Sequence, residues 1–133
     1  MDLLRRIGAL LGRIMLAYIF VQSGIEKISG PAGTMQYMAS GGLPHSLVPE
    51  LFLLSVVVEL LGGLMLIFGW YAELAALIIF LWMIPVTIIF HVSTGDTVHW
   101  EKNLAIMGGL LMVAALGPGG FSLDGARGGR RTA

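Results

Sequence analysis

Residues 47–90 read LVPELFLLSVVVELLGGLMLIF (47–68), GWY (69–71) and AELAALIIFLWMIPVTIIF (72–90). Each apolar run has the length, roughly 20 residues, that an α-helix needs to cross a hydrocarbon core about 30 Å thick. Only Gly69, Trp70 and Tyr71 separate them; the glycine can end one helix, and the aromatic pair suits the headgroup level. The stretch therefore predicts two membrane-spanning helices packed as an antiparallel hairpin.

Further apolar runs lie on either side, at residues 7–23 and at about 100–116, the second weaker because only residues 104–116 are free of charge. Between the first and second runs, Gly30-Pro31 and Gly41-Gly42-Leu43-Pro44 bracket a short segment at about 32–39, read as a helix lying at the interface. Gly117-Pro118-Gly119-Gly120 stops the last helix. The expected fold is all-α: one transmembrane domain over residues 1–133, forming an integral membrane four-helix bundle.

Composition agrees, with 56% hydrophobic and 12% charged residues where a soluble domain carries roughly a quarter charged. Eight basic residues balance eight acidic ones, which leaves no positive excess for binding nucleic acid. The chain has no cysteine, so a disulfide framework, a thiolate metal site and a dithiol electron shuttle are excluded. Arg13 interrupts the first run and no clear A-x-A site follows it, so that run reads as a retained span rather than a cleaved signal. Arg5 and Arg6 flank the first span, and Arg127, Arg130 and Arg131 follow the last. Because Lys and Arg stay on the cytoplasmic side, an even number of spans with N and C termini cytoplasmic fits this distribution.

Charges inside spans are the next signal, since each costs from about 2.5 kcal/mol to several times that and turns toward a partner. Arg13 lies roughly 12 Å along its helix from Arg5, and Glu59 roughly 15 Å from Gly69 on an antiparallel neighbour, so the two sit at similar depths. The expectation is an Arg13–Glu59 ion pair, serving either as a ligand-binding site for a small polar or quinone-like molecule or as a structural contact that fixes helix register. Arg13, Ala17, Phe20, Gly24 and Lys27 recur at helical spacing and define an inward stripe. Gly62 with Gly63, and Gly108 with Gly109, allow close helix approach. Pro85 is expected to kink the third span.

A polar cluster is expected at the outer rim, with Lys27, His91, Lys102 and Asn103 its chief members and Gln22, Glu26, Asp96, His99 and Glu101 beside them. His91 and His99 stand eight residues apart across a glycine-containing loop, which is not a recognised ligand spacing. No metal is assigned, and the rim is read as solvated. The methionines and Phe20, Phe68, Phe80, Trp82 and Phe90 are read as packing or lipid-facing residues.

Several of these residues, taken in order, carry a resemblance. Arg13, then Ser23-Gly24-Ile25-Glu26-Lys27, Gly33-Thr34-Met35-Gln36-Tyr37-Met38-Ala39-Ser40 with Gly42-Leu43-Pro44, Glu59 before Gly62-Gly63, Lys102-Asn103, and Gly117-Pro118-Gly119-Gly120-Phe121-Ser122-Leu123-Asp124 resemble the DoxX family nearly end to end. That resemblance implies a multi-pass protein of the bacterial inner (plasma) membrane. It also implies a loose association with oxidoreduction of sulfur compounds and quinones, or with oxidative-stress complexes. No catalytic residue set of the family maps onto this chain.

The expected function is that of an accessory or scaffold subunit of a membrane redox or stress-related complex, without catalysis of its own. The alternative is a quinone-linked oxidoreductase component binding a quinone-like ligand in the bundle, and a small-solute transporter stands third. The expected partners are the lipid bilayer and either further copies of the chain or other membrane subunits. No haem or metal motif is present, and a quinone is the one cofactor the reading admits.

Overall fold

The computed structural model describes residues 2–92 and 95–128. Ser93 and Thr94 of the third connection, and the Arg130 and Arg131 used in the orientation argument, lie outside the described residues.

Helix α1 (Leu3–Ser29) is longer than the apolar run that predicts it. The Asp2 side chain accepts a hydrogen bond from Leu4 N–H and so starts the helix outside that run. At the other end Gly30 N–H closes on Glu26 O at 3.0 Å. Helix α2 (Pro31–Ser40) begins at Pro31, whose fixed φ suits the first turn, and ends at Gly41 and Gly42. It is the short helix expected near 32–39.

Helix α3 (Val48–Val56), a π-helical turn (Val57–Leu61) and α4 (Gly62–Phe68) run on as one continuous helix of 21 residues. It ends where Gly69 takes a left-handed conformation (φ 67°) and Trp70 N–H bonds back to Met65 O at 2.9 Å. Helix α5 (Ala72–Thr87) follows at once and passes through Pro85 into a second π-helical turn (Ile88–Val92). The proline is thus accommodated inside a helix that widens three residues later. Helix α6 (Thr97–Leu116) is capped by Asp96, whose side chain accepts from His99 N–H, and a six-residue α7 (Leu123–Gly128) closes the described chain.

Among the described residues, three helical stretches are long and apolar enough to cross a membrane: Leu3–Ser29, Val48–Phe68 and Ala72–His91. Helix α6 has the length, but His99, Glu101, Lys102 and Asn103 in its first two turns lower its hydropathy. It packs extensively along α5, while α1 lies against the π turn and α4. The buried core comprises Ala17, Phe20, Leu66, Ala72, Ala76, Ile79, Met83 and Leu110.

Glycine sets two of the closest approaches. A Cβ on Gly24 would stand 2.8 Å from Leu60 Cβ, and one on Gly63 2.8 Å from Val21 Cγ2, so α1 and the α3–α4 helix meet nearly backbone to backbone. The outer faces carry Leu4, Met15, Leu53, Leu61, Leu81 and Met112, each more than half exposed. An apolar exterior around a small core that includes charge is what a lipid solvent selects.

Candidate functional site

The buried residues of α1 are Arg13, Ala17, Phe20 and Gly24, the stripe expected from helical spacing. Its two cations nevertheless serve opposite ends of the molecule. Arg13 Nη1 donates to Leu66 O at 2.8 Å and Ile67 O at 3.0 Å, and Nη2 donates to Phe121 O. Glu59 instead pairs with Lys27.

The expected Arg13–Glu59 pair is therefore corrected, and the reason lies first in helix stagger: Gly24 meets Leu60 and Gly63 meets Val21, so Glu59 stands level with the last turns of α1, while the end of α4 stands beside Arg13. In a helix every Cα–Cβ bond leans toward the N-terminus. On antiparallel neighbours that lean adds to the offset, carrying Arg13 toward the chain termini and Glu59 toward the far end. Lys27, on the last turn of α1, leans back toward the interior and meets Glu59.

Around Arg13 the arrangement is architectural. The guanidinium neutralises the carbonyl end of α4, while Asp124 accepts from Tyr71 N–H and Ala72 N–H, both at 2.9 Å, at the start of α5. Asp124 N–H in turn reaches Gly69 O at 2.9 Å. The segment after α6 thus ties the turn of the α4–α5 hairpin, with Arg6 over the Phe121 ring and Arg127 over the Tyr71 ring. Tyr71, held at φ 47°, is the one non-glycine residue with positive φ among the described residues. Sequence reading quoted the Phe121-Ser122-Leu123-Asp124 motif but gave it no task; an acidic residue close behind a firm helix stop was the available signal.

At the far end a cavity of about 450 Å³ opens between α1, α2, α5, α6 and the first π turn. Lys27, Glu59, His91, Lys102 and Asn103 line it, together with Tyr37, Trp82 and Met83. Six of the residues assigned to the rim, Gln22, Glu26, Lys27, His91, Lys102 and Asn103, therefore share one cavity, and Glu59 joins them while Arg13 does not. Glu59 is 8% exposed and belongs to the π turn, a widened turn that recurs at functional positions. Asn103 Nδ2 donates to Thr87 Oγ1 at 3.1 Å in a buried bond, which orients one polar wall. Tyr37 is stacked on Phe90, ring centroids 5.1 Å apart, and joins α2 to the end of the α5 stretch. Tyr37 was not foreseen as a lining residue, since nothing in α2 itself tells which neighbour it covers.

Beside this cavity Asp96 accepts from the rings of both His99 and His91, with Nδ1 to Oδ2 distances of 2.7 and 3.3 Å. The hydrogen bond from the His99 ring is the main cause that holds the Asp96 carboxyl below the usual carboxylate range.

Comparison with known proteins bears on this geometry. The DoxX family model matches residues 8–92. The chain belongs to the DoxX family. This DoxX chain is 35% identical over 127 residues to the inner membrane protein YqjF of Escherichia coli (strain K12), covering 93% of itself and 95% of that protein. It is 32% identical over 128 residues to the inner membrane protein YphA of the same organism, covering 90% of each. A shorter match, 36% over 63 residues, covers 47% of the chain and 44% of the putative oxidoreductase CatD of Bacillus subtilis (strain 168). No solved structure matches significantly. The DoxX chain is accordingly a multi-pass protein of the inner membrane. The family match takes in Arg13, Lys27, Glu59 and His91, and stops short of Asp96, His99, Lys102, Asn103 and Asp124.

Proposed function

We propose that this DoxX-family protein is a quinone-linked redox component of the inner membrane that holds a small carbonyl-bearing headgroup in the far-end cavity. The observation that carries the reading is the Lys27–Glu59 ion pair, largely withdrawn from water in the wall of a cavity whose polar side chains are set among the apolar Phe20, Trp82, Met83 and Ile106. A quinone headgroup needs hydrogen-bond donors within apolar surroundings. The Lys27 ammonium and the Asn103 amide supply donors, and the Trp82 and Tyr37 rings supply flat apolar surface. The name of the CatD relative, a putative oxidoreductase, lends support.

In this reading α6 is a fourth span that completes a four-helix bundle with both termini cytoplasmic. Its polar first turns then lie at the outer interface beside the cavity mouth.

Titration of a short-chain ubiquinone into the protein in lipid nanodiscs, followed by tryptophan fluorescence, tests the assignment. Saturable quenching is expected. Lys27→Met should weaken binding about tenfold, the equivalent of one lost hydrogen bond near 1.4 kcal/mol. Undiminished affinity in that variant rejects the site.

The accessory-subunit reading has its own observation. A second cavity of about 480 Å³ runs between α1 and α6 toward the chain termini, lined by Gly12, Leu16, Gly109 and Met112. A Cβ on Gly12 would meet nothing within 4 Å, so this face is open to a helix of a partner or of a second copy. Isolation in mild detergent, with partners identified by mass spectrometry, distinguishes a complex from a lone monomer that turns over substrate.

A further inference from the structure

We propose that His91, Asp96 and His99 form a binding site for one divalent transition-metal ion at the mouth of the far-end cavity. One donor atom from each residue lies within 4.8 Å of the others. In a tetrahedral site with ligand distances near 2.0–2.2 Å, donors stand roughly 3.3 Å apart. The His91 Nδ1 to Asp96 Oδ2 distance is 3.3 Å, and the corresponding His99 distance is 2.7 Å. Seating an ion requires the second to open by about half an ångström, which the half-exposed His99 ring can do by small χ rotations.

Preorganisation separates this cluster from a chance gathering at a helix start. The two imidazoles are stacked, centroids 5.2 Å apart and planes within 16°, so both rings present Nδ1 to the same carboxylate. Asp96 is fixed from two directions: its N–H bonds to His91 O at 2.9 Å, and its carboxylate caps α6 through His99 N–H. The donors therefore converge through hydrogen bonds within the chain.

Two imidazoles and one carboxylate suit borderline ions such as Zn²⁺, Co²⁺, Ni²⁺, Mn²⁺ or Fe²⁺ better than Ca²⁺ or Mg²⁺, which prefer oxygen. Three protein ligands leave a coordination position open. Because His91 also lines the cavity, that position adjoins the space beside Lys27.

The test uses the purified full-length chain, tag removed and stripped with a chelator, titrated with Co²⁺ alone and then with competing Zn²⁺. One equivalent of Co²⁺ with visible bands of low-symmetry coordination is expected, displaced by Zn²⁺. Asp96→Asn preserves the helix cap and should weaken binding by on the order of a hundredfold, as should His99→Ala. His45→Ala, which removes the one histidine outside the cluster, should change nothing. Absence of Co²⁺ bands in the parent protein, or unchanged affinity in a His91→Ala/His99→Ala double variant, overturns the proposal. Neither readout involves quinone, so the site stands or falls separately from the cavity's assigned ligand.

Discussion

Lys27 and Glu59 should be energetically coupled, and Arg13 and Glu59 should not. The side chains of Lys27 and Glu59 are 18% and 10% exposed. Removing one partner of a fully buried pair costs about 3–5 kcal/mol, because the other charge is left unpaired. Some water reaches this pair, so Lys27→Met should cost about 2–3 kcal/mol. Glu59→Leu should cost less, about 1 kcal/mol, since a freed lysine on the last turn of α1 can extend its ammonium to the interface. The double variant should also lose only about 1 kcal/mol, leaving a coupling near 2 kcal/mol. Arg13→Met removes three charge-assisted bonds to carbonyls and should cost about 3 kcal/mol by itself. Combined with Glu59→Leu, its effect should add to within about 0.5 kcal/mol. Reversible unfolding in mixed micelles of increasing SDS content, read by circular dichroism, gives both cycles. Additivity for Lys27 with Glu59, or coupling above about 1 kcal/mol for Arg13 with Glu59, refutes the assignment of partners.

Three further outcomes follow from the same geometry. Gly24→Ala places a methyl 2.8 Å from Leu60 Cβ and 3.3 Å from its Cα, where the backbone cannot yield; it should lose about 1–3 kcal/mol in the SDS titration, whereas Gly108→Ala, in open space, should be neutral or gain up to about 1 kcal/mol. Asp124→Ala removes the acceptor for two N–H groups at the start of α5 and should cost about 1–2 kcal/mol, with proteolysis at the 69–71 turn speeding up in proportion. Thr87→Val leaves the Asn103 amide without its buried acceptor and should destabilise by about 1–3 kcal/mol; adding Asn103→Leu should restore much of that loss.

Most of the helical layout could be read from where apolar runs meet glycine and proline. Residues 47–68 and 72–90 gave the hairpin, and Gly30-Pro31 with Gly41-Gly42 gave α2 almost to the residue. The inner stripe of α1 followed from periodicity alone. Helix α6 was harder, because its first turns are polar and lie against the cavity. Partner assignment failed at Arg13 and Glu59: counting rise from Arg5 and from Gly69 assumes that those two residues are level, whereas α1 extends past the hairpin turn, which lies beside Arg13. The rim residues were named as a group from their position at helix ends. Their convergence on one cavity depends on α2 folding back to bring in Tyr37, and that packing has no local signature. His91 and His99 were set aside on spacing, since a turn held by His91 O and Asp96 N–H brings them together in a way an eight-residue interval does not reveal. Asp124 was missed because a cap normally comes from the residue just before its helix, and this one arrives from 52 residues further along the chain.

That long reach affects the order in which the protein can be finished during synthesis. Arg13 is synthesised 108 positions before its Phe121 acceptor, and the hairpin at residues 69–71 waits a further 53 positions for Asp124. Once α4 is made Arg13 can bond Leu66 O and Ile67 O, but its second nitrogen and the N–H groups of Tyr71 and Ala72 lack their protein acceptors until residues 121–124 emerge. Residues 121–124 thus act as a clasp that joins α1 to the start of α5 across more than fifty positions of chain.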